Sequence, residues 1–385
     1  MLGLGLSLGL APIQGDGYSA QRAALRSFIL SAGSLVPSSA AASPTITLGS
    51  SSPALSGATV AKDDARIRYL GGHTVEGYPN TQPGTYPGYL FRSAKNLSYS
   101  ASERGQIGGI VEFDITCPRF EIYEYGQGHG VRVLVDNQIA GSYTAANDGS
   151  LKYRLFDFTE VDPGAVSRRI RLEFSAKGFT GGIKLDTVGA LQSLLDAVTY
   201  RICWMGDSFT EGIAGTTSTT LHAAYAPYAS KLLGFRDYWM SGFGGTGYNA
   251  SNYPGFGSTR PSLADRIGWD GVGADVYVVA MGINDSDADA GLAAKVASTL
   301  DTLRTNNPRA LIVVLGPWGN GSGGNIKPVV EQTIAAACAG RGGVKFIGVY
   351  DIAFTKSDAT HPNAAGHVTL GTAVANRIKA WLGIA

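Results

Sequence analysis

A β-sandwich followed by an α/β unit built on a parallel sheet is the fold class that this chain of 385 residues predicts. Two patterns carry the prediction. From about Thr45 to Leu191, short runs that alternate apolar and polar residues are separated by Gly, Asn, Asp and Pro, as half-buried antiparallel strands require. After Thr199 the rhythm changes to apolar strands followed by helical stretches, which argues for a parallel sheet with helices on both faces. The length accommodates two domains of typical size. The expected division is residues 1–44, an N-terminal apolar segment and linker, 45–192, the sandwich, and 193–385, the α/β domain.

The chain opens on the apolar run Met1 to Pro12, which is like the core of a signal peptide but lacks the basic residues that should precede one. The other reading of this run is an ordered segment that docks onto a larger assembly. A short helix is expected around Ser19 to Ser31, and the Ser/Ala/Pro-rich stretches Val36 to Pro44 and Ser50 to Pro53 read as linker.

In the sandwich region Ile110 to Thr116, Phe120 to Tyr125, Val131 to Val135, Tyr153 to Phe158 and Arg169 to Phe174 fit strands, with turns at Asp136-Asn137 and Asn147-Asp148-Gly149. Five or more strands with such close turn signals indicate an antiparallel sandwich. Beyond it, strands are expected at Tyr200 to Met205, Tyr238 to Phe243, Val276 to Met281, Leu311 to Leu315 and Val344 to Val349. Helices are expected near Leu221 to Leu233, Ala288 to Thr305, Ile326 to Ala339 and Ala364 to Leu382.

Composition narrows the function. Lys and Arg number 31 against 30 Asp and Glu, a net charge of +1 without a basic cluster, so a nucleic-acid partner is not indicated. No apolar run reaches the ~18 residues of a membrane span. The three cysteines, Cys117, Cys203 and Cys338, are far apart and odd in number, which suits neither a disulfide framework nor a metal site. Glycine, with 53 residues, has about twice its usual share, as a protein rich in strands and turns would.

Chemistry concentrates where the parallel strands end, the edge at which open α/β sheets bind ligands. Gly206-Asp207-Ser208-Phe209-Thr210-Glu211-Gly212 sets Ser208 at the end of the first such strand. A serine needs a base, an orienting acid and an oxyanion hole to act as a nucleophile. Asp358-Ala359-Thr360-His361 offers His361 as the base and Asp358 to hold its Nδ1. Gly242-Phe243-Gly244-Gly245-Thr246-Gly247, after the second strand, can present backbone N–H groups to a ligand. Gly282-Ile283-Asn284-Asp285, after the third, places an Asn amide that can donate to an oxyanion, and the same Asn-Asp pair also fits a helix cap. Glu211, Asp285 and Asp287 lie near these loops and are read as solvated or capping, with electrostatic tuning of the site as the alternative. His73, His129, His222 and His367 show no partner pattern, so ordinary packing or surface roles are expected of them.

Gly206-Asp207-Ser208, Gly244, Gly282-x-Asn284-Asp285 and Asp358-x-x-His361, each arriving after a successive strand, together resemble the four blocks of the SGNH hydrolases, also called the GDSL esterase/lipase family. The likeness covers roughly residues 198–385. It implies a flavodoxin-like three-layer α/β/α fold, with Ser208 as nucleophile, His361 as base and then acid, and Asp358 as its orienting partner. It also implies an oxyanion hole from the Ser208 N–H, a glycine N–H and the Asn284 side chain. Gly244 is the glycine expected, because Gly244-Gly245-Thr246 fits the Gly-x-Ser/Thr common at that block, with Gly245 as the alternative.

The resemblance implies hydrolysis of carboxylic esters with no metal or other cofactor. A sandwich ahead of such a domain looks like bacterial carbohydrate esterases and phage-tail deacetylases, whose modules are jelly rolls. An acetylated polysaccharide is thus the expected substrate, in an extracellular, periplasmic or virion-associated setting. Trp318 and Tyr248 are the rings expected to face it. The alternatives are a lipase or thioesterase of the same family, or a glycan-binding adhesin with a vestigial SGNH fold. The N-terminal segment would serve attachment to a phage tail, and a homo-oligomer would suit such a role.

Overall fold

The computed structural model describes residues 17–39, 43–76, 89–92, 109–126, 128–146, 148–175, 179–194, 196, 198, 200–212, 215–217, 220–251, 262–270, 273–319 and 327–384. The apolar start at Met1 to Pro12 lies outside them.

Among the described residues, 38–192 form two seven-stranded sheets. In the first, neighbouring strands run Ser38–Ser39, Gln138–Thr144, Gly130–Val135, Ser167–Phe174, Ile110–Thr116 and Ala190–Gln192, with Arg68–Leu70 also paired to Ile110–Thr116. In the second they run Thr45–Leu48, Leu151–Asp157, Arg119–Tyr125, Phe179–Leu185, Tyr89–Arg92 and His73–Glu76, with Thr59–Ala61 beside Phe179–Leu185. Phe113, Ile115, Val131 and Leu172 of the first sheet and Phe120, Ile122, Phe156 and Ile183 of the second share one buried core, so the two sheets pack face to face as a sandwich. Asp136 and Asn137, at φ 48° and 64°, make the two-residue turn joining Gly130–Val135 to Gln138–Thr144.

The second unit is a five-stranded, all-parallel sheet: β1 (Arg201–Gly206), β2 (Asp237–Gly242), β3 (Val276–Ala280), β4 (Leu311–Leu315) and β5 (Val344–Ile347). Its order is 2-1-3-4-5, the flavodoxin-like arrangement, whose topological switch point lies between β1 and β3. Successive strand residues point to opposite faces, and here each face is covered by helices. Ile202, Trp204, Tyr238, Met240, Val278 and Val313 meet α1 (Ser19–Ala32), α3 (Tyr225–Leu232) and α7 (Ala364–Trp381). Cys203, Met205, Trp239, Val279 and Val314 meet α4 (Leu263–Asp270), α5 (Leu292–Asn306) and α6 (Pro328–Cys338). A four-residue helix, α2 (Ser208–Glu211), follows β1.

Three expectations change. The helix expected near Ser19 is present, but it is a layer of the α/β unit and not part of a linker. Leu25 and Ile29 are buried in the same core as Trp204, and Phe28 packs on Tyr200 and Phe235 with ring centroids 4.7 and 5.2 Å apart. The helix α4, absent from the sequence reading, supplies Leu263 and Ile267 to the other face. Asn284 and Asp285 cap no helix, since α5 begins only at Leu292.

The first sheet of the sandwich turns its outer face to the α/β unit, where Leu70 and Ile110 join the apolar core and a network of ion pairs also forms. Glu173 pairs with Arg132, with Lys231 at 2.7 Å and with Arg171 at 3.2 Å, and accepts the Tyr238 hydroxyl at 2.8 Å. Glu112 pairs with Arg68, Arg171 and Arg236 at 2.9, 3.2 and 3.1 Å. His222, buried between the units, has Nε2 2.6 Å from the Phe174 carbonyl and Nδ1 3.0 Å from the Tyr238 hydroxyl.

Candidate active site

The turn after β1 is built by its own residues. Gly206 ends the strand where a Cβ would strike the Thr210 side chain, so only glycine fits. Asp207 caps α2, its Oδ1 accepting the Phe209 N–H at 2.9 Å. Burial pushes the Asp207 carboxyl up to about 7. Gly212 closes α2 in the left-handed conformation at φ 76°. Ser208 therefore stands at the first position of a one-turn helix, at the carboxyl edge of the sheet beside the switch point.

His361 comes from the loop before α7. Its Nε2 lies 3.0 Å from Ser208 Oγ and its Nδ1 2.8 Å from Asp358 Oδ2. Asp358 Oδ1 also accepts the backbone N–H groups of Thr360 and His361, both at 2.7 Å, so one carboxylate shapes the loop and holds the ring. Burial alone would raise the Asp358 carboxyl. The backbone N–H groups of His361 and Thr360, and then the His361 ring, outweigh it and hold the group at about 2. An ionised Asp358 accepts a hydrogen bond from the Nδ1–H, which leaves Nε2 to accept the Ser208 hydroxyl proton. Phe209, whose ring centroid is 5.8 Å from that of His361, backs the imidazole. Asn363 steadies the same loop by accepting the Thr355 hydroxyl at 2.6 Å and the Gly366 N–H at 2.9 Å.

Asn284 Nδ2 donates one hydrogen to the Thr246 carbonyl at 2.9 Å, and a primary amide carries a second. The glycine assignment shifts. The Gly244 N–H is already bonded to Glu211 Oε2 at 2.6 Å, so it is not free to meet a substrate oxygen. The Gly245 N–H, at φ 76°, has no hydrogen bond among the described residues.

Two acids read as solvated or capping are instead buried and hold loops. Glu211 grips Gly244, and the Asp285 carboxylate accepts the N–H groups of Tyr248, Asn249 and Ala250 at 2.8, 3.0 and 3.2 Å. Arg266, on the unforeseen α4, donates Nη2 to the Gly206 carbonyl at 2.9 Å, behind the serine. Asp287 does cap, accepting the Val330 N–H at the start of α6 at 3.0 Å.

The two rings expected to face substrate do not. Trp318 is 2% exposed, stacked on Phe209 at 5.6 Å and set edge-on to Tyr225 at 5.1 Å. It supports α2 from behind. Tyr248 is 0% exposed, packed in the core beneath α4 and α5. Each ring follows a strand end, but the chain folds back there and carries it inward.

Among the described residues no group of three or more His, Cys, Asp and Glu side chains could hold a metal ion, and no helix is long and apolar enough to cross a membrane.

A 2-1-3-4-5 parallel sheet with a serine at its carboxyl edge, facing a histidine, defines the class as an esterase or acylhydrolase of α/β architecture. Residues 204–368 match the GDSL-like lipase/acylhydrolase family.

Solved structures extend the likeness over both units. A family two carbohydrate esterase from Cellvibrio japonicus is 16% identical, with a TM-score of 0.61, over 88% of this chain and 99% of that one. The salicylyl-acyltransferase SsfX3 of a tetracycline biosynthetic pathway is 14% identical, with a TM-score of 0.62, over 85% and 98%. The acetyl xylan esterase Est2A from the rumen bacterium Butyrivibrio proteoclasticus is 16% identical, with a TM-score of 0.59, over 86% and 100%. At these identities what is shared is the fold. No curated protein matches the sequence.

Proposed function

We propose that this protein is a serine esterase that removes O-acetyl groups from a polysaccharide. The observation that carries the reading is the unbroken chain of hydrogen bonds from Ser208 Oγ through His361 to Asp358. In the proposed reaction Ser208 Oγ attacks the acyl carbon while its proton passes to His361 Nε2. The tetrahedral oxyanion accepts hydrogen bonds from the Ser208 and Gly245 N–H groups and from Asn284 Nδ2. Its collapse breaks the bond to the alcohol oxygen, which takes the proton from His361, and leaves acyl-Ser208. Water then gives a proton to His361 and attacks the acyl carbon, releasing the acid and restoring the serine.

The substrate class is supported by the two-domain relatives whose names are carbohydrate esterase and acetyl xylan esterase. Such a substrate implies work outside the cytoplasm, in extracellular, periplasmic or virion-borne form. The test is acetate release from acetylated xylan, pectin and bacterial surface polysaccharides, with long-chain lipid esters and acyl thioesters alongside. Wild type is expected to release acetate from at least one polysaccharide and Ser208→Ala from none. Equal release by both proteins would sink the serine mechanism, and turnover confined to lipids or thioesters would sink the substrate.

Asn284→Ala is expected to lower kcat by about 10²-fold or more, as loss of one oxyanion donor does. If the amide served only to brace the Thr246 carbonyl, melting would fall by the equivalent of about 1 kcal/mol while turnover stayed high. Thermal melting and ester turnover measured on one sample separate the two outcomes.

A further inference from the structure

We infer that Glu211 is a positioning residue that sets the distance between the oxyanion donors, an inference that rests on the serine-esterase reading. Those donors stand on separate pieces of chain. The Ser208 N–H begins α2, the Gly245 N–H lies on the loop after β2, and Asn284 follows β3. Their spacing is set only by contacts between the pieces.

Two such contacts join α2 to the loop. The backbone of α2 lies directly on the end of β2, where a Cβ at Gly242 would strike Glu211 N and the Thr210 carbonyl carbon. Glu211, three residues after Ser208 and on the same face of the helical turn, reaches across and takes the Gly244 N–H at 2.6 Å. A bond from an N–H to a carboxylate is the stronger, charge-assisted kind. It commits the Gly244 N–H to the protein and leaves Gly245 as the donor for substrate. From the other side Asn284 holds the Thr246 carbonyl, so the loop is gripped at both ends of the Gly244 to Thr246 stretch.

Glu211 is 6% exposed. A buried anion near a site that gathers negative charge opposes that charge. Its charge therefore does not assist the reaction, and what Glu211 contributes is the position of the groups it holds.

The experiment is steady-state hydrolysis of p-nitrophenyl acetate by the full chain. Glu211→Ala is expected to lower kcat by about 10- to 100-fold, part of the value of a whole oxyanion donor, with KM changed by less than about threefold. Glu211→Gln, whose amide oxygen can accept the same N–H, is expected to hold kcat within about fivefold of wild type. Combined with Asn284→Ala, the Glu211→Ala loss should be smaller than the product of the two single losses, because both act through one loop. A folded Glu211→Ala with wild-type kcat, a Gln variant as slow as the Ala variant, or a fully multiplicative double variant each overturns the inference. If Glu211→Ala does not fold, Glu211→Asp takes its place, since it withdraws the carboxylate by one methylene and should show the same loss of kcat. An inactive Ser208→Ala beside an unimpaired Glu211→Ala removes this inference alone, whereas an active Ser208→Ala removes the esterase reading itself.

Discussion

His361→Ala is expected to lower kcat for ester hydrolysis by about 10⁴-fold or more, with KM little changed. The imidazole is 3.0 Å from Ser208 Oγ, and without it the hydroxyl has no base to take its proton as the acyl carbon is attacked. Nor could the departing alcohol be protonated, so both halves of the reaction lose the same group. Because serine and histidine act as one unit, Ser208→Ala with His361→Ala should be no slower than either variant alone. Stopped-time assays at high enzyme concentration measure the residual rate. Turnover within about tenfold of wild type, or losses that multiply, would show that His361 is not the base.

Glu173→Gln is expected to destabilise the protein by about 3 to 5 kcal/mol. Glu173 is the anion shared by Arg132, Arg171 and Lys231 at the contact between sandwich and α/β unit. Burial alone would raise its carboxyl, but Arg132 and Lys231, followed by His222 and Arg171, hold it well below the usual carboxylate range. Removing the anion leaves buried cations facing one another. The loss should appear as a fall in melting temperature of roughly 6 °C or more. Adding Lys231→Met to Glu173→Gln should recover part of it, since one uncompensated cation is then gone. A melting temperature unchanged by Glu173→Gln would mean that water reaches the contact and replaces the carboxylate.

Ser208, Asn284, Asp358 and His361 were legible because each follows a strand, and parallel strands bring their ends to one edge. The strands were legible because each face of the sheet is buried, so β1, β3 and β4 read as continuous apolar runs. Helix α4 was not legible. It spans Leu263–Asp270, only eight residues with Gly268 inside it, too short a run for its apolar period to stand out. Most of the sandwich strands escaped for a similar reason, Phe179–Leu185 carrying two adjacent glycines that read as a turn.

Charged residues seldom lie buried, so Glu211 and Asp285 read as solvated or capping acids, yet each is held inside by the backbone N–H groups it accepts. Trp318 follows a strand end, where a ring can wall a substrate site, yet it and Tyr248 are both buried.

By itself the sequence determined the chemistry and its sheet edge, a serine, a histidine and an acid placed after strands whose order in the chain implied a common rim. Tertiary structure alone decided which glycine N–H is left for a substrate, which acids are buried, and that α1 belongs to the α/β unit. The reason is physical. Residue type and local period set what a segment can form, but the direction of an N–H and the burial of a ring depend on contacts between segments far apart in the chain.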